Sequence, residues 1–237
     1  MTPATPVHRT RLTRQDLVAL RSVLAVCAHP DDETFGLGAI ISGLVDGGSA
    51  ISLLCFTRGE ATTLGGDASA NQTRAGELSR AASILGIASV ELLDYPDGRL
   101  DTIPTAELAS QILEAIAQAG AQALLVFDAD GVTGHPDHRR ATAAAIAAGD
   151  EASIPVPAWV IPNDVATTLN REFGTSFKGR ERDEVDVELV VDRTRQTLAL
   201  SEHKSQSRDN PVLWRRLELM GPTEWLIDLN TGTNRRN

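Results

Sequence analysis

Aromatic residues are scarce in this 237-residue chain: five Phe, three Trp and one Tyr make up 4% of it. With few rings to stack on, and 32 Asp+Glu against 22 Lys+Arg for a net charge of −10, the surface offers nucleic acid little purchase. It repels phosphate backbones and anionic membranes alike. No apolar run approaches the roughly 18–20 residues that span a bilayer. The basic, Pro/Thr-rich start, Met1 to Arg14, lacks the apolar stretch of a secretory signal, which predicts a cytoplasmic location. Cysteine is nearly absent. Cys27 and Cys55 each sit in an apolar run, VLAVCA and ISLLCF, where a reduced, buried thiol is the ordinary state and no disulfide framework is implied. There is no GxSxG elbow, which argues against a serine hydrolase. Gly36-Leu37-Gly38 lacks the third glycine of a dinucleotide fingerprint.

What is present is an apolar content of 42% built on small and aliphatic residues, ample for one sizeable core. Short β-branched or Leu-rich runs alternate with longer Ala/Leu patterns, the signature of parallel strands joined by crossover helices. The expected fold is α/β, a Rossmann-like three-layer sandwich around a mostly parallel sheet. Strands are predicted at Val23 to Ala28, Ile51 to Thr57, Val90 to Leu93, Ala123 to Asp128, Ala158 to Ile161, Val185 to Val191 and Trp225 to Leu229. The first four read as covered on both faces; the partly alternating VDVELVV suits a place nearer an edge. Helices are predicted at about Gly36 to Gly47, Ala70 to Gly86, Thr105 to Ala119, His138 to Ala148 and Asp192 to Gln206. Asn163 to Glu184 shows no period and reads as an exposed excursion, a candidate lid where substrate choice would be encoded. The organisation expected is an arm over residues 1–20, one domain over 21–229 and a tail over 230–237.

Two segments carry the chemistry. The first strand runs into Ala28-His29-Pro30-Asp31-Asp32-Glu33, and the fourth is followed by Gly134-His135-Pro136-Asp137-His138. In a doubly wound sheet the first and fourth strands are neighbours where strand order reverses, and ligands bind outside their carboxyl ends. Both motifs therefore converge on one crevice. His29 and Asp32, at i and i+3 across the turn, can point to one side. A third ligand from His138 gives a His/Asp/His set with an open position, the pattern of a catalytic zinc site. Asp31 is then free to take a proton from water, and His135 to hydrogen-bond the oxygen where negative charge develops. Alone, Asp31, Asp32 and Glu33 would suit any helix N-terminus, and one HxxH would suit a surface helix; the two motifs at one crevice point to a metal centre.

On these motifs the chain resembles the zinc-dependent deacetylases typified by N-acetylglucosaminyl-phosphatidylinositol de-N-acetylase and the LmbE-like proteins. The likeness continues in Thr57-Arg58-Gly59-Glu60, in Arg74-Ala75-Gly76-Glu77-Leu78, in Tyr95-Pro96-Asp97-Gly98-Arg99-Leu100 and in ALSEHKSQ from Ala199 to Gln206. The resemblance implies His29, Asp32 and His138 as metal ligands, Asp31 as general base and His135 as the oxyanion-stabilising or proton-donating group. It implies Arg74 and Asp97 in the substrate pocket, the guanidinium binding a polar or anionic group and the carboxylate accepting sugar hydroxyls. His203 is expected near the pocket mouth, with Glu60 and Asp137 supporting the site from behind. The implied activity is hydrolysis of an acetyl or acyl amide on an amino sugar or sugar-containing small molecule, by attack of zinc-bound water. Another divalent first-row metal would fit the same ligands, and a homo-oligomer is left open. Two rivals share the centre: an amidase for thiol conjugates of a sugar-derived cofactor, and a metal-dependent sugar-binding protein that has lost turnover.

Overall fold

The structure, a computed structural model, describes residues 12–61 and 68–230. The first eleven residues of the expected arm and the tail after Asn230 lie outside the described residues. Elements follow in the order α1 (Arg14–Ala19), β1 (Ser22–Cys27), α2 (Asp32–Phe35), α3 (Gly38–Asp46), β2 (Ala50–Thr57), α4 (Ala68–Leu85), β3 (Ser89–Tyr95), α5 (Thr105–Ala119), β4 (Ala123–Phe127), α6 (Pro136–Ala152), β5 (Pro157–Val160), α7 (Asn163–Phe173), β6 (Val187–Val190), α8 (Thr194–Leu200), α9 (Lys204–Ser207), α10 (Pro211–Met220) and β7 (Thr223–Asp228).

Among the described residues the strands form one seven-stranded sheet in the order β3-β2-β1-β4-β5-β7-β6. All pairings are parallel except those of β7, which runs antiparallel between β5 and β6. The fold is the α/β class expected, with the order reversing at the β1–β4 junction. The period-two alternation of β1 divides the core. Val23, Ala25 and Cys27 face Ile40, Ile41, Leu78 and Leu85 of α3 and α4. Leu24, Val26 and Ala28 face Leu108 and Ile112 of α5 and the alanines of α6. A strand covered on both faces must be apolar throughout, and β4 is buried at every position. Cys27 and Cys55 are free and buried.

Helix boundaries follow local chemistry. α5 buries Leu108, Ala109, Ile112 and Ala115, one stripe at helical spacing. α6 begins earlier than its apolar pattern, because His135 caps it and Pro136 opens it. The helix expected over Asp192 to Gln206 is broken at Ser201–His203 into α8 and α9. The strand β3 is an edge strand with three exposed residues at its start, not the doubly covered strand its Leu-rich run suggests. The other edge is β6, where Val187 and Leu189 face in and Val190 faces out.

Four helices were not expected, the shortest being the four-residue α2 before the predicted start at Gly36. α1 lies within the stretch read as an arm, and its Leu17 is fully buried in the core. The segment Asn163 to Glu184 is no loose excursion: its first half is α7, which buries Val165, Ala166 and Leu169. Its second half is tied down by Lys178 N–H to the Val132 carbonyl at 2.8 Å, Arg180 N–H to the Ile161 carbonyl at 2.9 Å and a bidentate Arg180–Asp128 pair at 2.6 and 2.9 Å. α10 is capped by Asn210, whose side chain accepts from Leu213 N–H, and opened by Pro211. No helix among the described residues is long and apolar enough to cross a membrane.

Candidate metal centre and active site

The turn after β1 is held from three sides. Ala28 and His29 N–H donate to Asp32 Oδ2 at 3.1 and 2.9 Å, and Thr57, at the end of β2, donates its N–H and hydroxyl to the Ala28 carbonyl. This bends the chain so sharply that Asp31 sits at φ 137°, a conformation that costs a non-glycine residue on the order of 1–3 kcal/mol and persists where surrounding contacts enforce it. One such contact is the Asp31 N–H to Glu33 Oε2 at 2.9 Å.

Across the β1–β4 junction the expected ligands meet. His29 Nδ1 lies 3.2 Å from His138 Nε2, and Asp32 reaches His138 Nε2 with Oδ1 at 3.1 Å and His29 Nδ1 with Oδ2 at 3.7 Å. The outer nitrogens fix the tautomers. His29 Nε2 faces Asp97 Oδ1 at 3.0 Å and Asp137 Oδ2 at 3.3 Å, so it carries a proton and donates. His138 Nδ1 faces the Gly131 carbonyl at 3.2 Å, which only accepts, so it too carries its proton. The two inner nitrogens, His29 Nδ1 and His138 Nε2, therefore face each other and a carboxylate, with room for one shared proton or a cation between them. Positive charge, a proton or a metal ion, reconciles donors so close together, and a divalent ion fits a His/Asp/His set whose imidazoles are oriented by outer acceptors.

The electrostatics agree. Burial works against charge on His29, yet its hydrogen bonds to Asp137 and Asp97 and the Asp32 charge push its pKa up to about 10. Burial would raise Asp32, but the His138 charge and hydrogen bond, with His29, hold it well below the usual carboxylate range. The pocket wants positive charge at this point, supplied by a proton or a metal. His135 also approaches: its ring lies 4.8 Å from His29 and 5.1 Å from His138, and His29, His135 and His138 bring ligand atoms within 4.8 Å of one another. Its Nδ1 accepts the Asp137 N–H at 3.2 Å as the cap of α6, which leaves Nε2 as the donor. Burial and the charges of His29 and His138 lower its pKa.

Asp31 is on the cavity side, beside the cluster rather than in it. Burial pushes its pKa up to about 6 against the opposing charge of Arg74. Arg74, expected to bind substrate, borders the cavity but is buried; its terminal nitrogens are engaged by the protein, while Nε is buried without a partner. Nη1 donates to the Gly59 carbonyl at 2.7 Å; Nη2 donates to the Pro30 carbonyl at 2.8 Å and to Asp31 Oδ2 at 3.2 Å. It pins the turn and its aspartate. Gly59, at φ 69°, makes room: a Cβ there would come within 2.2 Å of Arg74 Nη1.

Asp97 departs from the expectation in the same way. Its oxygens are engaged by His29 and by Ala61 N–H at 2.8 Å, so it orients a histidine rather than waiting for a hydroxyl. Glu60 holds the Asp97 N–H at 2.8 Å, and Asp137, fully buried, accepts from Gly98 and Leu100 N–H at 2.7 and 3.1 Å. His203 is not at the pocket mouth. It is fully buried, 2.6 Å from Glu33 Oε1 and edge-on to Phe35, because the break between α8 and α9 turns it inward, under the turn that carries Asp31.

His29, Asp31, Asp32, Arg74, Asp97, His135 and His138 border a cavity of about 500 Å³, which Glu60, Asp137 and His203 do not line. Its far wall had no motif to mark it: Phe35, Phe127, Trp159 and Phe177, four of the nine aromatic residues, with Val212, Leu213 and Arg216 from α10. Gly36 permits this wall, since a Cβ there would lie 2.6 Å from Phe127 and 2.9 Å from Trp159. The one available signal was Asn210-Pro211 followed by apolar residues at helical spacing, a helix start.

Residues 24–149 match the family model described as GlcNAc-PI de-N-acetylase. A 1D-myo-inositol 2-acetamido-2-deoxy-alpha-D-glucopyranoside deacetylase of Kribbella flavida is 31% identical over 215 residues, covering 69% of this chain and 71% of that protein. Diacetylchitobiose deacetylase of Thermococcus kodakarensis is 34% identical over 140 residues, covering 57% of this chain and 52% of that protein. The chain spans about half the length of the first curated relatives it matches. The crystal structure of N,N'-diacetylchitobiose deacetylase from Pyrococcus horikoshii superposes with a TM-score of 0.68 at 20% identity, over 92% of this chain and 87% of that one; at that identity the likeness shows the fold.

Proposed function

Because the chain belongs to the GlcNAc-PI de-N-acetylase family, we propose that it is a metal-dependent hydrolase that removes an acetyl group from the amide nitrogen of an amino-sugar substrate. The observation that carries this reading is the convergence of His29 Nδ1, His138 Nε2 and Asp32 Oδ1 at the β1–β4 junction, with Asp31 and His135 bordering the same cavity. His29, Asp32 and His138 would hold the ion, zinc or another divalent first-row metal. When bound, it supplies Lewis acidity toward the amide carbonyl and acidifies water.

The remaining work falls to side chains. Asp31, with its carboxyl raised to about 6, takes the proton of the attacking water, which suits a general base working near neutrality. Arg74 holds that carboxylate in place. His135 offers Nε2–H to the oxygen on which negative charge develops as water adds to the carbonyl carbon. The C–N bond then breaks, acetate leaves on one side, and the amine takes a proton delivered by Asp31 or His135. Asp97, Asp137 and the Gly131 carbonyl keep the two ligand imidazoles in the tautomers that expose the right nitrogens.

Acetate release from a panel of N-acetylated amino sugars, measured together with bound metal, tests the reading. Release that disappears with a chelator and returns with one equivalent of divalent metal is expected. Bound metal with no hydrolysis of any amide would replace the enzyme by a binding protein; the presence of both Asp31 and His135 favours turnover.

A further inference from the structure

The far end of the cavity carries one charge without a counterpart. Arg216 is 3% exposed and lines the cavity. Its guanidinium lies over the Trp159 ring, 4.9 Å from the centroid, and Nη2 donates to the Phe35 carbonyl. Nη1 is buried with no hydrogen-bond partner. Other shielded arginines each face an acid: Arg74 faces Asp31, Arg180 faces Asp128 and Arg193 faces Glu224. Among the described residues Arg216 forms no such pair. Glu224, whose charge reaches it, is engaged by Arg193 at 2.5 Å and by the Trp159 indole N–H at 2.8 Å. Burial lowers the pKa of Arg216 only to about 10, so it is charged at neutral pH. A buried charge without a counter-ion is costly, and a fork of guanidinium donors matches carboxylate or phosphate oxygens.

The acids of the cavity, Asp31, Asp32 and Asp97, gather at its histidine end. The wall between the ends is a ladder of rings: His138 to Phe127 at 4.9 Å, Phe127 to Trp159 at 5.0 Å, and Trp159 to Arg216. We infer that Arg216 is a specificity-determining residue that receives an anionic group, carboxylate or phosphate, carried by the substrate at a distance from the scissile amide. The acids turn that group away from the metal end and the guanidinium fixes it at the other, which orients the amide. This rests on the deacetylase reading for its substrate, but not for its binding.

The test compares N-acetylglucosamine with its 1-phosphate, its 6-phosphate and N-acetylmuramate on the full-length, metal-loaded protein. At least one anionic compound should exceed the neutral sugar by tenfold or more in kcat/KM. Arg216→Met should shrink that ratio at least tenfold, and Arg216→Lys should restore part of it. Equal kcat/KM for the neutral and all three anionic sugars in the unmutated enzyme overturns the inference, as does an Arg216→Met variant that keeps the ratio. Binding of glucosamine and its phosphates, followed by calorimetry, needs no turnover. Tighter binding of a phosphate in the absence of any acetate release would remove the deacetylase reading and support the anion site; equal binding would remove the anion site.

Discussion

The two ends of the cavity are built on opposite plans. At the histidine end most polar atoms are engaged: His29 and His138 have outer acceptors, Asp32 ties down two backbone N–H groups, and Asp31 is held by Arg74, with Arg74 Nε, Glu60 Oε2 and His203 Nδ1 buried without a partner. At the α10 end the wall is apolar, with one guanidinium left partly unmatched. Chemistry needs positions fixed to within a fraction of an ångström, and interlocking hydrogen bonds provide that. Selection among substrates needs shape and one or two polar anchors whose loss is felt only by the substrate that uses them. Substitutions at the first end should therefore act on metal and kcat, and those at the second on KM.

The largest effect should come from His138→Ala, which removes one of three donors. Metal content after dialysis should fall to that of chelated protein, and acetate release with it. Asp31→Asn should separate the two properties: bound metal persists while kcat falls about 10²–10⁴-fold. A variant that keeps its metal and its full rate would refute Asp31 as the base. Asp97→Asn should act more gently, weakening metal binding about 10–100-fold by loosening the His29 tautomer, as read by competition with a chelator. Because His29 is raised to about 10, binding must displace its proton. Apparent affinity should then fall as pH drops, by up to about tenfold per unit for one proton. Asp97→Asn lowers that pKa, so its affinity should depend less steeply on pH.

How much of this was legible in the sequence follows the same division. The histidine end was readable because each motif is local, His29 with Asp32 and His135 with His138, and because one topological rule joins β1 to β4. Partner choice was not. Arg74, Asp97 and His203 are at or beneath the site, but whether a donor faces substrate or backbone depends on loops that no spacing encodes. His203 turns under Glu33 because of a helix break after Leu200. The wall was illegible for another reason: Phe35, Phe127, Trp159, Phe177 and Arg216 come from five separate segments and share no motif. α7 was missed because only a narrow stripe, Val165, Ala166 and Leu169, is buried, and the polar residues around it hide the period.

The smallest effect sharpens the comparison most. Phe177 is the one residue of the segment Asn163 to Glu184 that borders the cavity, and its backbone is fixed by Asn170, whose side chain accepts its N–H at 2.7 Å and donates to its carbonyl at 2.9 Å. Its ring is partly buried against the core, so a bound sugar would cover only part of it. If Phe177→Ala removes roughly 40 Å² of apolar contact, the loss is about 1 kcal/mol, or about fivefold in affinity. That contact is the same in the ground and transition states, so the loss belongs in KM and not in kcat. Steady-state kinetics on the best acetylated substrate decide it. A fall in kcat instead would mean that this segment takes part in positioning the reacting groups, and the division between a catalytic end and a selecting end would give way.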